Sequence, residues 1–145
     1  MAVVIAAPAS GTGKTLLSLA LLSWARCHQH SIQPFKVGPD YLDPQLLSAA
    51  AERPCRNLDS NLCGESWVRR AFHGYGGQAD LALVEGVMGL FDGVGSTEVG
   101  STAATARLLD LPVVLVVDAG GQAASLAALV RGFRDHDPDL AFAGV

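Results

Sequence analysis

With 145 residues, half of them apolar and 17% charged, the chain has the length and composition of one globular domain and not of a disordered segment. A formal net charge of -4 excludes any general electrostatic attraction to nucleic acid, and the longest apolar run, Pro112 to Val117, is far too short to span a bilayer. No basic segment precedes the apolar N-terminus as in a secretory leader. Cys27, Cys55 and Cys63, odd in number and without C-x-x-C spacing, argue for free thiols in a reducing cytoplasm.

Val3 to Ala7 is a β-branched run that ends at a glycine-rich loop, and leucines at helical spacing then predict a helix from Lys14 to about Cys27. His28 and His30 lie near its end with no carboxylate or thiol beside them, and His73 and His136 read as surface residues. Ile32 to Val37 is the next strand. Asp43-Pro44 opens a helix, with Asp43 as N-cap and Pro44 in the first helical position. Pro54 to Asp59 carries only a weak signal for a short strand or extended loop.

Glu65 to about Gly74 reads as a helix stopped by Gly76-Gly77, and Leu81 to Val84 as a compact strand ending at Glu85-Gly86. Val87 to Gly100 is a glycine-rich loop, and Ser101 or Thr102 caps a helix reaching about Leu109. Pro112 to Val117 predicts a strand ending at Asp118, Gln122 to Phe133 a helix, and Leu140 to Val145 the start of another strand. Strands that are apolar throughout and separated by helices imply an α/β fold, a parallel sheet with helices on both faces. The sequence stops inside an apparent strand, so the expectation is a fragment, truncated after the fifth or sixth strand.

The loop after the first strand reads Ala7-Pro8-Ala9-Ser10-Gly11-Thr12-Gly13-Lys14-Thr15, a phosphate-binding loop in which Pro8 stands where the first glycine is usual. Such a loop points successive backbone N–H groups at an anion held at the positive end of the following helix. The candidate nucleotide-binding residues are therefore Ser10, Gly11, Thr12, Gly13, Lys14 and Thr15. Lys14 would reach the β- and γ-phosphates and the Thr15 hydroxyl would bind Mg²⁺. Pro8 fixes one φ and removes one N–H that need not be a phosphate donor.

Ligands of an open parallel sheet gather beyond the carboxyl ends of its strands. Asp40, Glu85 and Asp118 follow strands on the rim that carries Lys14. Asp40 and Glu85 are the better metal candidates, alongside Thr15, with Asp118 a rival. Asp43 joins them as a catalytic candidate, although capping alone could account for it. Lys36 is unusual within a strand and calls for an anionic partner: either a bound phosphate, or, on an edge strand, no partner because the side chain reaches solvent.

The segments APASGTGKT, QPFKVGPDYLDP, RNLD and EGVMGLFDG, in this order, with STAATARLLDLPVVLVVDA after them, resemble the N-terminal domain of the cobyrinic acid a,c-diamide synthase family over nearly the whole chain. The family shares its P-loop NTPase-like fold with dethiobiotin synthetase and, more distantly, with ParA and MinD ATPases. The resemblance implies residues 1–145 as an N-terminal ATP-binding synthetase domain of a glutamine-hydrolysing, ATP- and Mg²⁺-dependent amidoligase. Its substrate would be cobyrinic or hydrogenobyrinic acid, whose carboxylate is activated as an acyl phosphate and then displaced by ammonia. The ammonia would come from glutamine through a C-terminal glutaminase domain that this sequence does not contain, so the fragment alone is expected to be inactive. Lys14, Lys36, Asp40, Asp43 and Glu85 are the catalytic candidates. The expectation adds a cytoplasmic location, no membrane or nucleic-acid partner, and room for a homodimer.

Val87 to Gly100 could wrap a large substrate, with Met88, Leu90 and Phe91 on a tetrapyrrole face or else anchoring the loop to the core. Ser101 and Thr102 could accept a substrate carboxylate or serve only as caps. The rival readings are a dethiobiotin synthetase-like ligase and a ParA or MinD type switch. The second typically carries an extra lysine early in the loop, where this chain has Pro8-Ala9-Ser10.

Overall fold

The chain folds in the order β1 (Ala2–Ala6), α1 (Lys14–Cys27), β2 (Ile32–Val37), α2 (Asp43–Ala51), β3 (Arg56–Leu58), α3 (Ser60–Cys63), α4 (Glu65–Gly76), β4 (Leu81–Glu85), α5 (Thr102–Leu109), β5 (Val113–Leu115), α6 (Ser125–His136) and β6 (Phe142–Gly144). In this computed structural model, which describes residues 1–145, the strands form one parallel sheet in the order β3-β2-β4-β1-β5-β6.

The near-continuous apolar strands follow from burial on both faces. Along β1, Val4 and Ala6 enter one core with α4 and α5 residues such as Val68, Phe72, Ala103 and Ala106. Ile5 points to the opposite face and packs with Leu22 of α1 and Leu47 of α2. In β4, Val84 and Leu83 divide in the same way. The chain therefore leaves β1 toward one face and leaves the neighbouring β4 toward the other. Adjacent strands with diverging exits open a crevice at their carboxyl ends.

Three differences from the sequence reading have local causes. Helix α2 does begin at Asp43, but Leu42 occupies the N-cap position and Asp43 makes no cap. Asp40 serves instead: its Oδ1 accepts from the backbone N–H of Leu42 at 2.9 Å and of Asp43 at 3.1 Å. The four-residue α3, not anticipated, is started by Asp59, whose side chain accepts from the N–H groups of Asn61 and Leu62. β5 ends at Leu115, two residues before the apolar pattern does, although Val116 N–H still reaches the Ala6 carbonyl at 2.7 Å, and α6 is displaced toward the C-terminus, running from Ser125 to His136. No helix is long and apolar enough to cross a membrane.

Candidate functional site

The crevice between the β1 and β4 exits is a cleft of ≈ 440 Å³ lined by Ser10, Gly11, Gly13, Lys14, Thr15 and Leu16 on one side, by Lys36, Asp40 and Asp43 on another, and by Val87 and Met88 on a third. The phosphate loop takes its shape from two residues in the left-handed region, Gly11 at φ +77° and Gly13 at φ +103°, where a side chain would be strained. Thr12, which does not line the cleft, closes the turn by donating from Oγ1 to the Ala9 carbonyl at 2.8 Å. Lys14 is 8% exposed and its Nζ donates to the carbonyls of Met88 at 2.7 Å and Ala9 at 3.2 Å.

Beneath the cleft lies a charged cluster. Lys36 is 3% exposed because β2 is an inner strand, flanked by β3 and β4. This corrects the edge-strand alternative, and it supplies carboxylates as the lysine's partners. Its Nζ lies 2.7 Å from Asp43 Oδ2, 2.8 Å from Glu85 Oε1 and 3.8 Å from Asp40 Oδ2. Glu85 Oε1 also accepts from Thr15 Oγ1 at 2.9 Å, so it joins the phosphate loop to the cluster. Asn57 holds the β2–α2 turn from below, its Nδ2 donating to the carbonyls of Gly38 and Asp40 at 2.8 Å each.

The charges shift one another accordingly. Burial pushes the Lys36 pKa down, but hydrogen bonds to Asp43 and Glu85 outweigh it and the net shift is upward. Burial also pushes Asp43 up, and the bond and charge of Lys36 reverse this to leave it lowered. Lys14, with no carboxylate in direct contact, is lowered by burial and then by the Lys36 charge. A lysine with a lowered pKa beside open cleft surface is one that an anion would stabilise.

The residues present suit a hard divalent cation. Glu85 is wholly buried, yet its Oε2 has no hydrogen-bond partner. Thr15 Oγ1 and the Asp40 and Asp43 carboxylates complete a set of oxygen donors. No three of His, Cys, Asp and Glu converge as a protein-only cage. Mg²⁺ bound through one or two carboxylates together with phosphate oxygens and water needs no such cage.

Other sequence candidates fall elsewhere. Asp118 is exposed, folds back on itself through Gly120 N–H at 2.8 Å, and does not line the cleft. Ser101 and Thr102 are buried and committed internally. Ser101 Oγ accepts from Ala104 N–H at 3.0 Å, and Thr102 Oγ1 bonds the N–H of Val87 at 2.9 Å and its carbonyl at 3.1 Å. Leu90 is in the core, and Phe91 stacks on Phe133 with ring centroids 5.9 Å apart, so of the three loop hydrophobes only Met88 faces the cleft. Leu16 and Val87 line it without having been singled out. Apolar side chains beside a motif carry no signal that separates lining from packing.

This is the site of a P-loop nucleotide-binding domain. Residues 3–145 match the CobQ/CobB/MinD/ParA nucleotide binding domain, and the chain belongs to that family. It is 57% identical over 143 residues to the cobyrinate a,c-diamide synthase of Syntrophotalea carbinolica, covering 98% of this chain and 31% of that protein. It is 50% identical over 150 residues to the hydrogenobyrinate a,c-diamide synthase of Mycobacterium bovis, covering 99% of this chain and 33% of that one. The chain thus spans about a third of the length of these curated relatives. The hydrogenase maturation factor HypB of Archaeoglobus fulgidus superposes with a TM-score of 0.54 at 15% identity, covering 100% of this chain and 80% of that one, a likeness of fold alone. The sequence resemblance to the a,c-diamide synthases and the P-loop NTPase-like architecture are both borne out.

Proposed function

We propose that this chain is the ATP-binding, carboxylate-activating domain of an amidoligase that converts the a and c side-chain carboxylates of cobyrinic or hydrogenobyrinic acid to amides. One observation carries the reading. Two lysines and two carboxylates, Lys14, Lys36, Asp40 and Asp43, line one cleft with the phosphate loop, and Glu85 lies directly below. The names of relatives 47–57% identical over almost the entire chain support the substrate class.

A carboxylate is a poor electrophile, and the chemistry must bring it, as an anion, against an anionic phosphate. The N–H groups of the phosphate loop and Lys14 hold the β- and γ-phosphates, and Lys36 offsets charge where the two anions meet. A carboxylate oxygen of the substrate then takes the γ-phosphoryl group and ADP leaves. Ammonia attacks the acyl carbon, losing a proton, and phosphate departs to leave the amide. Mg²⁺, when bound, neutralises phosphate charge. Thr15 and Glu85, with Asp40, would hold it. Glutamine would supply the ammonia through a glutaminase domain in the longer polypeptide, and the enzyme would act in the cytoplasm.

The test is ADP and phosphate release by the full-length gene product. Release that requires cobyrinic or hydrogenobyrinic acid together with ammonia supports the reading. Release that requires diaminopelargonic acid and carbon dioxide instead, or ATP-driven dimerisation with no dependence on a small acid, overturns it.

A further inference from the structure

Lys36 is enclosed to a degree that a general phosphate-binding lysine does not need. Its Nζ donates to Asp43 Oδ2 at 2.7 Å, to Glu85 Oε1 at 2.8 Å and to the Gly86 carbonyl at 3.1 Å, with Asp40 Oδ2 at 3.8 Å. All three ammonium donors have acceptors. The acidic side is less well served. Glu85 is 0% exposed, and Oε2 is without a partner, so a wholly buried carboxylate is compensated at one oxygen only.

Two of the three carboxylates, Asp40 and Glu85, are also positioned independently of Lys36. Asp40 Oδ1 is held by the N–H groups of Leu42 and Asp43, the Asp40 carbonyl by Asn57, and Glu85 by Thr15. Removing the ammonium would leave the oxygen donors in place around the point where it stood.

We infer that Lys36 is the resident counter-ion of a divalent-cation site, and that it excludes a free divalent cation until a polyphosphate draws the ammonium away from Glu85. An ammonium and a divalent cation cannot share Glu85 Oε1 at contact distance without strong repulsion, because each would sit within a few ångströms of the other. A flexible four-carbon stem lets the ammonium exchange one anion for another, and a phosphate in the adjoining cleft offers that exchange. The cation then enters together with the phosphate and not ahead of it. The inference rests on the nucleotide-binding reading and adds an order of binding to it.

Mn²⁺ alone and Mn²⁺ with pyrophosphate are the probes, read by paramagnetic broadening of methyl-¹³C methionine resonances. The chain has two methionines, and Met88 lines the cleft while Met1, at the other end of β1, reports non-specific binding. The wild-type protein should show selective broadening of Met88 only with pyrophosphate present. Lys36→Leu, which adds no methionine signal, should broaden Met88 with Mn²⁺ alone, at a concentration at least tenfold below that needed in wild type. Adding Glu85→Gln should abolish the gain, and Lys36→Arg should keep the wild-type exclusion.

A cooperatively melting Lys36→Leu protein with no gain overturns the inference. Should that variant fail to fold, the wild type decides: Met88 broadening by Mn²⁺ that is the same with and without pyrophosphate overturns it. If Met88 responds under neither condition, it is the nucleotide-site reading that falls.

Discussion

The two loops that face each other across the cleft both depend on glycine, for opposite reasons. In the phosphate loop, Gly11 and Gly13 have positive φ, and a Cβ at either would meet nothing within 4 Å. In the loop after β4, Gly86 and Gly89 have no positive φ, but a Cβ would lie 2.6 Å from the Thr102 side chain at Gly86 and 2.6 Å from the Pro8 carbonyl at Gly89. At Gly11 and Gly13, glycine lets the backbone take a left-handed turn with open space around it. The other loop uses it so that the chain can pack on itself, with Leu90 N–H reaching the Ala7 carbonyl at 2.8 Å and Ala103 N–H the Leu90 carbonyl at 2.9 Å. Function in the first loop is thus separable from stability, and in the second it is not.

Substitutions can break this contrast. The largest effect is expected from Lys14→Ala, which removes one charged hydrogen-bond donor from the phosphates: nucleotide affinity should fall about 100-fold, read by calorimetry, with the thermal midpoint little changed. Next, Gly89→Ala should destabilise the protein by about 3 kcal/mol in denaturant unfolding, because a Cβ would displace the Asp92 carboxylate that accepts from Gly89 N–H and would still meet the Pro8 carbonyl, a backbone clash that no rotamer change relieves. Gly11→Ala should cost only about 1 kcal/mol, the price of a left-handed residue in open space, yet weaken pyrophosphate binding severalfold. A Gly11→Ala protein less stable than Gly89→Ala would invert the comparison and refute it.

The smallest effect is electrostatic. Asp43 has its pKa lowered below 3.8 in the folded state by Lys36, after burial is outweighed, so its contribution is present above pH 3.8 and is lost as pH falls through the lower folded value. Lys36 is raised above 10.5, so its share is intact below that pH and is lost as pH rises through the folded value. Thermal midpoints of wild type and Asp43→Asn should therefore converge as the pH is lowered below about 4. Curves that stay parallel would mean that the Asp43–Lys36 pair contributes no stability.

Much of the fold was legible because its signals are local. The alternation of Val4 and Ile5, or Leu83 and Val84, between two buried faces reads directly as uninterrupted apolar strands, and GxGKT marks the strand-to-helix turn. What was illegible depends on contacts between distant segments. Asp43 beside Pro44 has the local form of a cap, and only the Lys36 ammonium, 2.7 Å away, shows why the carboxylate is used elsewhere. The role of Asn57, a side chain in a three-residue strand, appears only once β3 is laid beside β2. Ser101 and Thr102 looked available from their position at a helix start, and it is burial by the folded loop that removes them.

The register of β1 also has a consequence for how the protein is made. β1 is synthesised before both of its neighbours, Leu81–Glu85 and Val113–Leu115, and Glu85, which Thr15 reaches, is the last residue of the first of these. At roughly 5–20 residues per second, the phosphate loop leaves the ribosome several seconds before the strand that completes its floor. During synthesis the earliest residues of the binding motif are therefore among the longest to wait for their structure. A nascent chain halted before Leu81 would carry the phosphate loop, Lys36, Asp40 and Asp43 but not the strand that lies between β1 and β2 and brings them together.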